Sequence, residues 1–214
     1  MTGTVHAYCT VDDLREQLGE SKPGNLPENL LVRAINAASR AVDNYTGRRF
    51  WQDETLQSVL VPPSVASCYE LWLPGNSEIS TTTGLAVATD DGTGAYGTSW
   101  TLDTDYRLWP YAANTGGSEY GAWWVLEGLG TARFDVRGAR GVYPVRITAR
   151  FGWAFTPVEV EQATLLKAAA LFKRKDAPFG ILQFGDVAAV RVTRQDIDVI
   201  ELLSGYVRDV AMVG

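Results

Sequence analysis

The chain changes its hydrophobic period twice, and this restricts the fold more than any other feature. From about Pro27 to Thr46 apolar residues recur as Leu31, Ala34, Ile35, Ala38, Val42 and Tyr45, the three-and-four spacing of a helix with one buried face. Its polar face carries Arg33, Asn36, Arg40 and Asp43. Between roughly Phe50 and Trp153 that spacing gives way to runs of Thr, Val, Trp, Tyr and Gly. They are punctuated by Pro62-Pro63, Pro74-Gly75, Asp90-Asp91-Gly92 and Gly116-Gly117, the chemistry of short strands and turns. Helical spacing then returns. The expectation is an α+β fold: a helical core built from both chain ends, residues 1–50 and 151–214, with a large inserted antiparallel β subdomain, a sheet or small barrel, over 51–150.

Local signals set the elements. Thr10 caps a short helix with Asp12 and Asp13 in its first turn and Gly19 at its end, and Gly47 supplies the left-handed position that stops the longer helix after Thr46. Strands are expected at 55–61, 69–73, 85–89, 106–109, 122–127 and 145–151. Within Trp123-Trp124-Val125-Leu126 an extended backbone sends one indole to each side of a sheet. Thr156-Pro157-Val158-Glu159 combines a capping Thr, Pro at the first helical position and Glu three after the cap. That helix is expected to run to about Lys175, before Pro178. A short β excursion over 184–192 precedes a last helix opened by Thr193 and Asp196, with Ile197, Ile200, Leu203 and Val207 as its apolar stripe.

Composition excludes several classes of function. With 46% hydrophobic and 21% charged residues over 214 positions, the chain can bury a sizeable core. No apolar run approaches the roughly 20 residues that span a bilayer, and the first residues lack a basic and apolar leader, so a soluble, unprocessed protein without membrane contact is expected. Cys9 and Cys68 lie far apart without metal-ligand spacing and read as two reduced thiols. A net charge of -6 argues against a surface that grips phosphate throughout.

Candidate chemistry is sparse. His6 is the only histidine, which removes histidine triads and multi-histidine metal sites. Asp90/Asp91 and Asp103/Asp105 could pair as acid and base or hold a cation, but turn chemistry explains them with no third ligand or nucleophile nearby. Gly128-Leu129-Gly130 lacks the third glycine and following helix of a phosphate loop and reads as a turn. Cys68 has no activating neighbour in sequence. Arg133, Arg137, Arg140, Arg146 and Arg150 concentrate positive charge; a nucleic-acid patch is weighed against a solvated hairpin tip and outer face or a subunit contact, and the latter is favoured. Trp100, Trp109, Tyr111 and Tyr120 suit either a sugar platform or burial at an interface. No catalytic residue, cofactor or metal is expected.

Helices at both ends, a β insertion and no chemistry make up a pattern that resembles the head-to-tail connector (adaptor) family of long-tailed bacteriophages, adaptors of actinobacterial phages in particular. The residues that carry the resemblance are Tyr8-Cys9-Thr10-Val11-Asp12-Asp13-Leu14 and Ala37 to Phe50, above all the helix followed by Tyr45-Thr46-Gly47-Arg48. Asp105 to Pro110, Ala149 to Trp153 and Val199 to Arg208 also look like adaptors, whereas the long β insertion departs from minimal relatives. The resemblance implies a ring, commonly of twelve copies, docked beneath the portal protein and above a stopper or tail-completion protein at the head-tail junction of a virion. Double-stranded DNA would pass through its lumen without sequence-specific binding, and assembly would take place in the bacterial cytoplasm. The isolated chain would be a monomer or loose oligomer. Arg40, Tyr45, Arg48, Arg49, Trp109, Ile200, Leu203, Tyr206 and Arg208 are the candidate subunit or portal contacts, and the β insertion is expected to face outward or to touch neighbours. A carbohydrate-binding or glycan-processing β protein is the alternative, separable by a glycan array. A stopper or tail-completion protein is the alternative within the structural class.

Overall fold

The structure is a computed structural model that describes residues 4–20, 24–62, 68–90, 94–114, 120–134, 137–138, 141–142, 145–174, 181–182, 190–191 and 197–208. It has an α+β fold whose chain folds into two compact units, one formed by Gly47–Thr156 joined by Arg208, the other by Met1–Thr46 and Pro157–Val207. Asp91, Gly92, Pro63, Gly116, Gly117, Lys175, Pro178, Thr193 and Asp196, and most of the 184–192 excursion, lie outside the described residues.

The β unit holds β1 (Gln57–Val61), β2 (Glu70–Trp72), β3 (Ile79–Thr89), β4 (Thr98–Trp100), β5 (Tyr106–Trp109), β6 (Val125–Gly128), the two-residue strands β7 (Arg137–Gly138) and β8 (Gly141–Val142), and β9 (Val145–Phe151). Every strand pair is antiparallel. One sheet has the order β1-β9-β3-β4, a second β2-β6-β5, and β7 pairs antiparallel with β8, while the expected tip at Ala139 and Arg140 lies outside the described residues. Alternation along each strand sorts side chains into two faces. Val61, Val87, Val145, Ile147, Ala149 and Phe151 of the first sheet share one core with Leu71, Tyr106, Leu108 and Leu126 of the second. The inner faces therefore meet, and the outer faces lie on opposite sides of that core. β3 is longer than the expected strand over 85–89: it begins at Ile79, and the register shifts between Thr81 and Ala86, with Gly84 at φ +77°, a bulge that lets one strand continue.

Trp123 bridges Ile79 and packs against the core, while Trp124 sits edge-on to both Trp109 and Tyr120, so the two indoles do enter different surroundings. A cis peptide joins Trp109 to Pro110. Gly152 has φ +98°, and a Cβ there would run into the Trp51 carbonyl, so glycine is demanded twice over.

The helical unit contains α1 (Val11–Gln17), α2 (Glu28–Thr46), α3 (Val158–Lys173), the paired strands β10 (Ile181–Leu182) and β11 (Val190–Arg191), α4 (Ile197–Leu203) and a 3-10 turn Ser204–Tyr206. α3 packs against α1, α2 and α4, and Leu14, Leu31, Ala34, Ile35, Ala38, Ala168, Ala169 and Phe172 form its core. The Thr10 side chain accepts from Asp13 N while the Asp13 carboxylate accepts from Thr10 N, a reciprocal cap.

Three local expectations are corrected. Thr156 does not cap α3: its hydroxyl donates to the Phe50 carbonyl at 2.9 Å, and Pro157 is the cap residue, with no side-chain hydrogen bond. Tyr45 is exposed, and Thr46, one full turn beyond Val42, takes the buried position and donates to the Val42 carbonyl. The buried face of α4 is Val199 with Leu203, four apart; Ile197, at 72% exposure, and Val207 lie off it.

Candidate functional site

A buried ionic cluster organises the β unit. Glu78, 0% exposed, accepts from Arg48 Nη1 at 2.5 Å and Arg208 Nη1 at 3.3 Å through one oxygen, and from Trp153 Nε1 at 2.6 Å through the other. Arg208 also donates to the Leu73 carbonyl, and the Arg48 guanidinium lies 4.4 Å from the Trp124 ring centre. Burial pushes the Glu78 carboxyl above the usual carboxylate range, while Arg48, Trp153 and Arg208 pull it back. Burial likewise lowers Arg208, against the pull of Glu78. Both carboxylate oxygens of Glu78 are satisfied and the residue is fully buried, so the cluster is a structural tie. Sequence reasoning missed Glu78, because nothing local marks it and its partners lie 30 and 130 residues away.

The candidate contact residues are distributed over both units. In the helical unit Arg40 pairs with Asp43 at 2.9 Å and donates to the His6 carbonyl, while Tyr8 Oη donates to Asp43 at 2.5 Å. Tyr45 is exposed, Ile200 half-buried, Leu203 1% exposed, and Tyr206 donates to Glu159 at 2.9 Å. In the β unit Arg48 and Arg208 are committed to Glu78. Arg49 pairs with Asp53 at 2.7 Å and stacks on Trp51, and Trp109 is 40% exposed.

Among the described residues, the acids weighed as chemistry, Asp90, Asp103 and Asp105, are turn residues. Asp90 Oδ1 accepts from Gly94 N, Asp105 Oδ2 accepts from Thr101 N, and Asp103 has φ +63° in the turn before β5. Gly130 likewise sits at φ +59° in a turn closed from Ala132 N to the Leu129 carbonyl. Among the described residues no cluster of three or more His, Cys, Asp or Glu can hold a metal. No helix among them is long and apolar enough to cross a membrane. Burial, then Asp13 and Glu161, pushes the Cys9 thiol up to about 11, away from reactivity. Cys68 does have a cationic neighbour that its sequence context hides: Arg133 Nη1 lies 3.4 Å from its sulfur and stacks on Tyr69. The side chains of Arg137 and Arg140 are outside the described residues.

What remains are two sheet faces. On the outer face of β2-β6-β5, register aligns Glu70, Glu127 and Arg107 in one row and Trp72, Val125 and Trp109 in the next, and Tyr111 Oη donates to Glu127 at 2.5 Å. On the outer face of β1-β9-β3-β4, Leu60, Arg146, Ala88 and Ser99 form one row and Ser58, Thr148 and Ala86 the next, with Arg150 beyond. Arg146 lies over Tyr96.

No family model matches this chain, and no curated protein matches it. Solved structures do. A chain described as "Neck of empty GTA particle computed with C6 symmetry" matches at a TM-score of 0.58 and 19% identity, covering 100% of this chain and 97% of that one. A chain described as "Virion of native gene transfer agent (GTA) particle" matches at a TM-score of 0.56 and 19% identity, over 100% of this chain and 96% of that one. At this identity the likeness is one of fold, and it extends over both units from end to end: the chain has the fold of a component of gene transfer agent particles.

Proposed function

We propose that this chain is a structural virion protein, a head-to-tail connector subunit that forms a ring beneath the portal and joins the DNA-filled head to the tail. The observation that carries the reading is the end-to-end likeness to a chain of a particle neck, β insertion included. Fold alone does not give function. Here it is joined by a buried ionic tie around Glu78 and by exposed Tyr45, Trp109 and Tyr111, residues suited to subunit contact. A neck with C6 symmetry accommodates rings of six or twelve copies, and twelve is our reading. The portal on one side and a stopper or tail-completion protein on the other would be its partners. Duplex DNA would pass through the lumen without sequence-specific contact, in keeping with a net charge of -6.

Within this reading exposed Tyr45 and Trp109 meet neighbours or the portal directly, half-buried Arg40, Arg49, Ile200 and Tyr206 contribute through their partly exposed edges, and Arg48, Arg208 and Leu203 act by shaping the subunit that makes the contact. The test is deletion of the gene from the producing genome followed by electron microscopy. The expected products are filled heads and free tails that never join; normally tailed particles would overturn the proposal. Light scattering of the isolated chain is expected to give a monomer or loose oligomer, with the ring forming on added portal.

A further inference from the structure

We infer that the β unit carries both halves of a head-to-tail contact between copies of this chain, the outer face of β2-β6-β5 on one copy docking onto the outer face of β1-β9-β3-β4 on the next. The inference rests on the ring reading and deepens it. A closed ring of identical subunits needs two different, complementary patches on each, facing away from one another. The two sheets share one core, so their outer faces already point in opposite directions, as front and back of the same unit.

The faces complement each other in charge. Glu70 and Glu127 stand side by side in register, and neither forms an ion pair among the described residues. Like charges directly opposite on adjacent strands are unfavourable, and Arg107, opposite Glu127 on its other side, offsets only one of the two carboxylates, which leaves this row net negative for a neighbour to meet. On the other face Arg146 and Arg150 alternate outward along β9 and also lack an ion-pair partner among the described residues.

They complement each other in shape as well. The acidic face projects Trp72, Trp109 and Tyr111, the last 62% exposed. The basic face holds a hollow of about 450 Å³, lined by the small residues Ser58, Ala86, Ala88 and Ser99 together with Trp100 and Arg146. Beside it β1 is an edge strand that leaves Leu60 55% exposed, an apolar edge that proteins ordinarily cover or blunt with charge. Aromatic side chains entering a hollow lined by Arg146, next to an exposed leucine, reproduce the aromatic-and-arginine make-up of interface cores.

The experiment reverses each face. One variant carries Glu70→Lys and Glu127→Lys, the other Arg146→Glu and Arg150→Glu, each supplied to a producing strain that lacks the gene, singly and together. Like charges across an interface cost several kcal/mol, so each variant alone is expected to lower tailed particles by about a hundredfold. Supplied together, the two can alternate round an even-numbered ring with every contact complementary, and tailed particles are expected to return to within about tenfold of wild type. Melting curves of the purified variants check that both fold. The inference is overturned if either variant alone supports wild-type numbers, or if two well-folded variants fail to rescue one another. Failure of the ring reading itself is seen separately, in the deletion strain, as tails that attach without this chain.

Discussion

Arg48 and Arg208 donate to the same oxygen of Glu78, although one follows α2 and the other lies near the end of the chain. The β unit is thereby tied at the two places where the chain enters it from the helical segments, Gly47 and Arg208. Two guanidinium groups on one fully buried carboxylate make the tie costly to break from either side.

Glu78→Gln is expected to lower stability by about 3–5 kcal/mol, because it leaves two buried cations without their anion. Urea unfolding of the two proteins measures this directly. A loss under about 1 kcal/mol would mean that water already compensates the arginines.

Thr10→Ala removes half of a reciprocal cap and is expected to cost about 1 kcal/mol. It also has a pH signature. Hydrogen bonds from Thr10, side chain before backbone, hold the Asp13 carboxyl below its ordinary 3.8. A carboxyl depressed on folding contributes stability that is fully present above 3.8 and is lost as pH falls through its lower folded value. NMR titration is expected to find the Asp13 pKa raised in Thr10→Ala, and the stability difference between the two proteins to shrink in acid.

Leu203→Ala is expected to cost about 2–5 kcal/mol, and Ile197→Ala less than about 0.5 kcal/mol. Both residues belong to one apolar pattern in sequence, but only Leu203 is buried. Thermal melts of the pair separate the stripe read from spacing from the one that packs.

Gly152→Ala is expected to destabilise by about 2 kcal/mol or more, since the new Cβ meets both a positive φ and the Trp51 carbonyl. Gly205→Ala, which meets nothing within 4 Å, serves as the control in the same urea series.

The α+β division, α2 almost to the residue, and β5 and β9 with their bounds were all legible in the amino-acid order. Each rests on a local cause: a period, a cap, a left-handed glycine or a turn pair. Thr156 shows where local reading stops. Its spacing from Glu159 suits a capping box, but a carbonyl from a distant segment, that of Phe50, competes for the hydroxyl and takes it.

The candidate site was less legible for the same reason. Trp109, Tyr111 and the arginines near β9 could be singled out by type, whereas the alignment of Glu70 with Glu127, or of Leu60 with Arg146, exists only once strands from different parts of the chain are in register. Sequence alone determined which segments coil, which extend and where each stops, because those choices depend on neighbours a few residues away. Tertiary structure decided which polar groups are buried together and which sheet faces remain outward, because those follow from long-range pairing that no local pattern encodes.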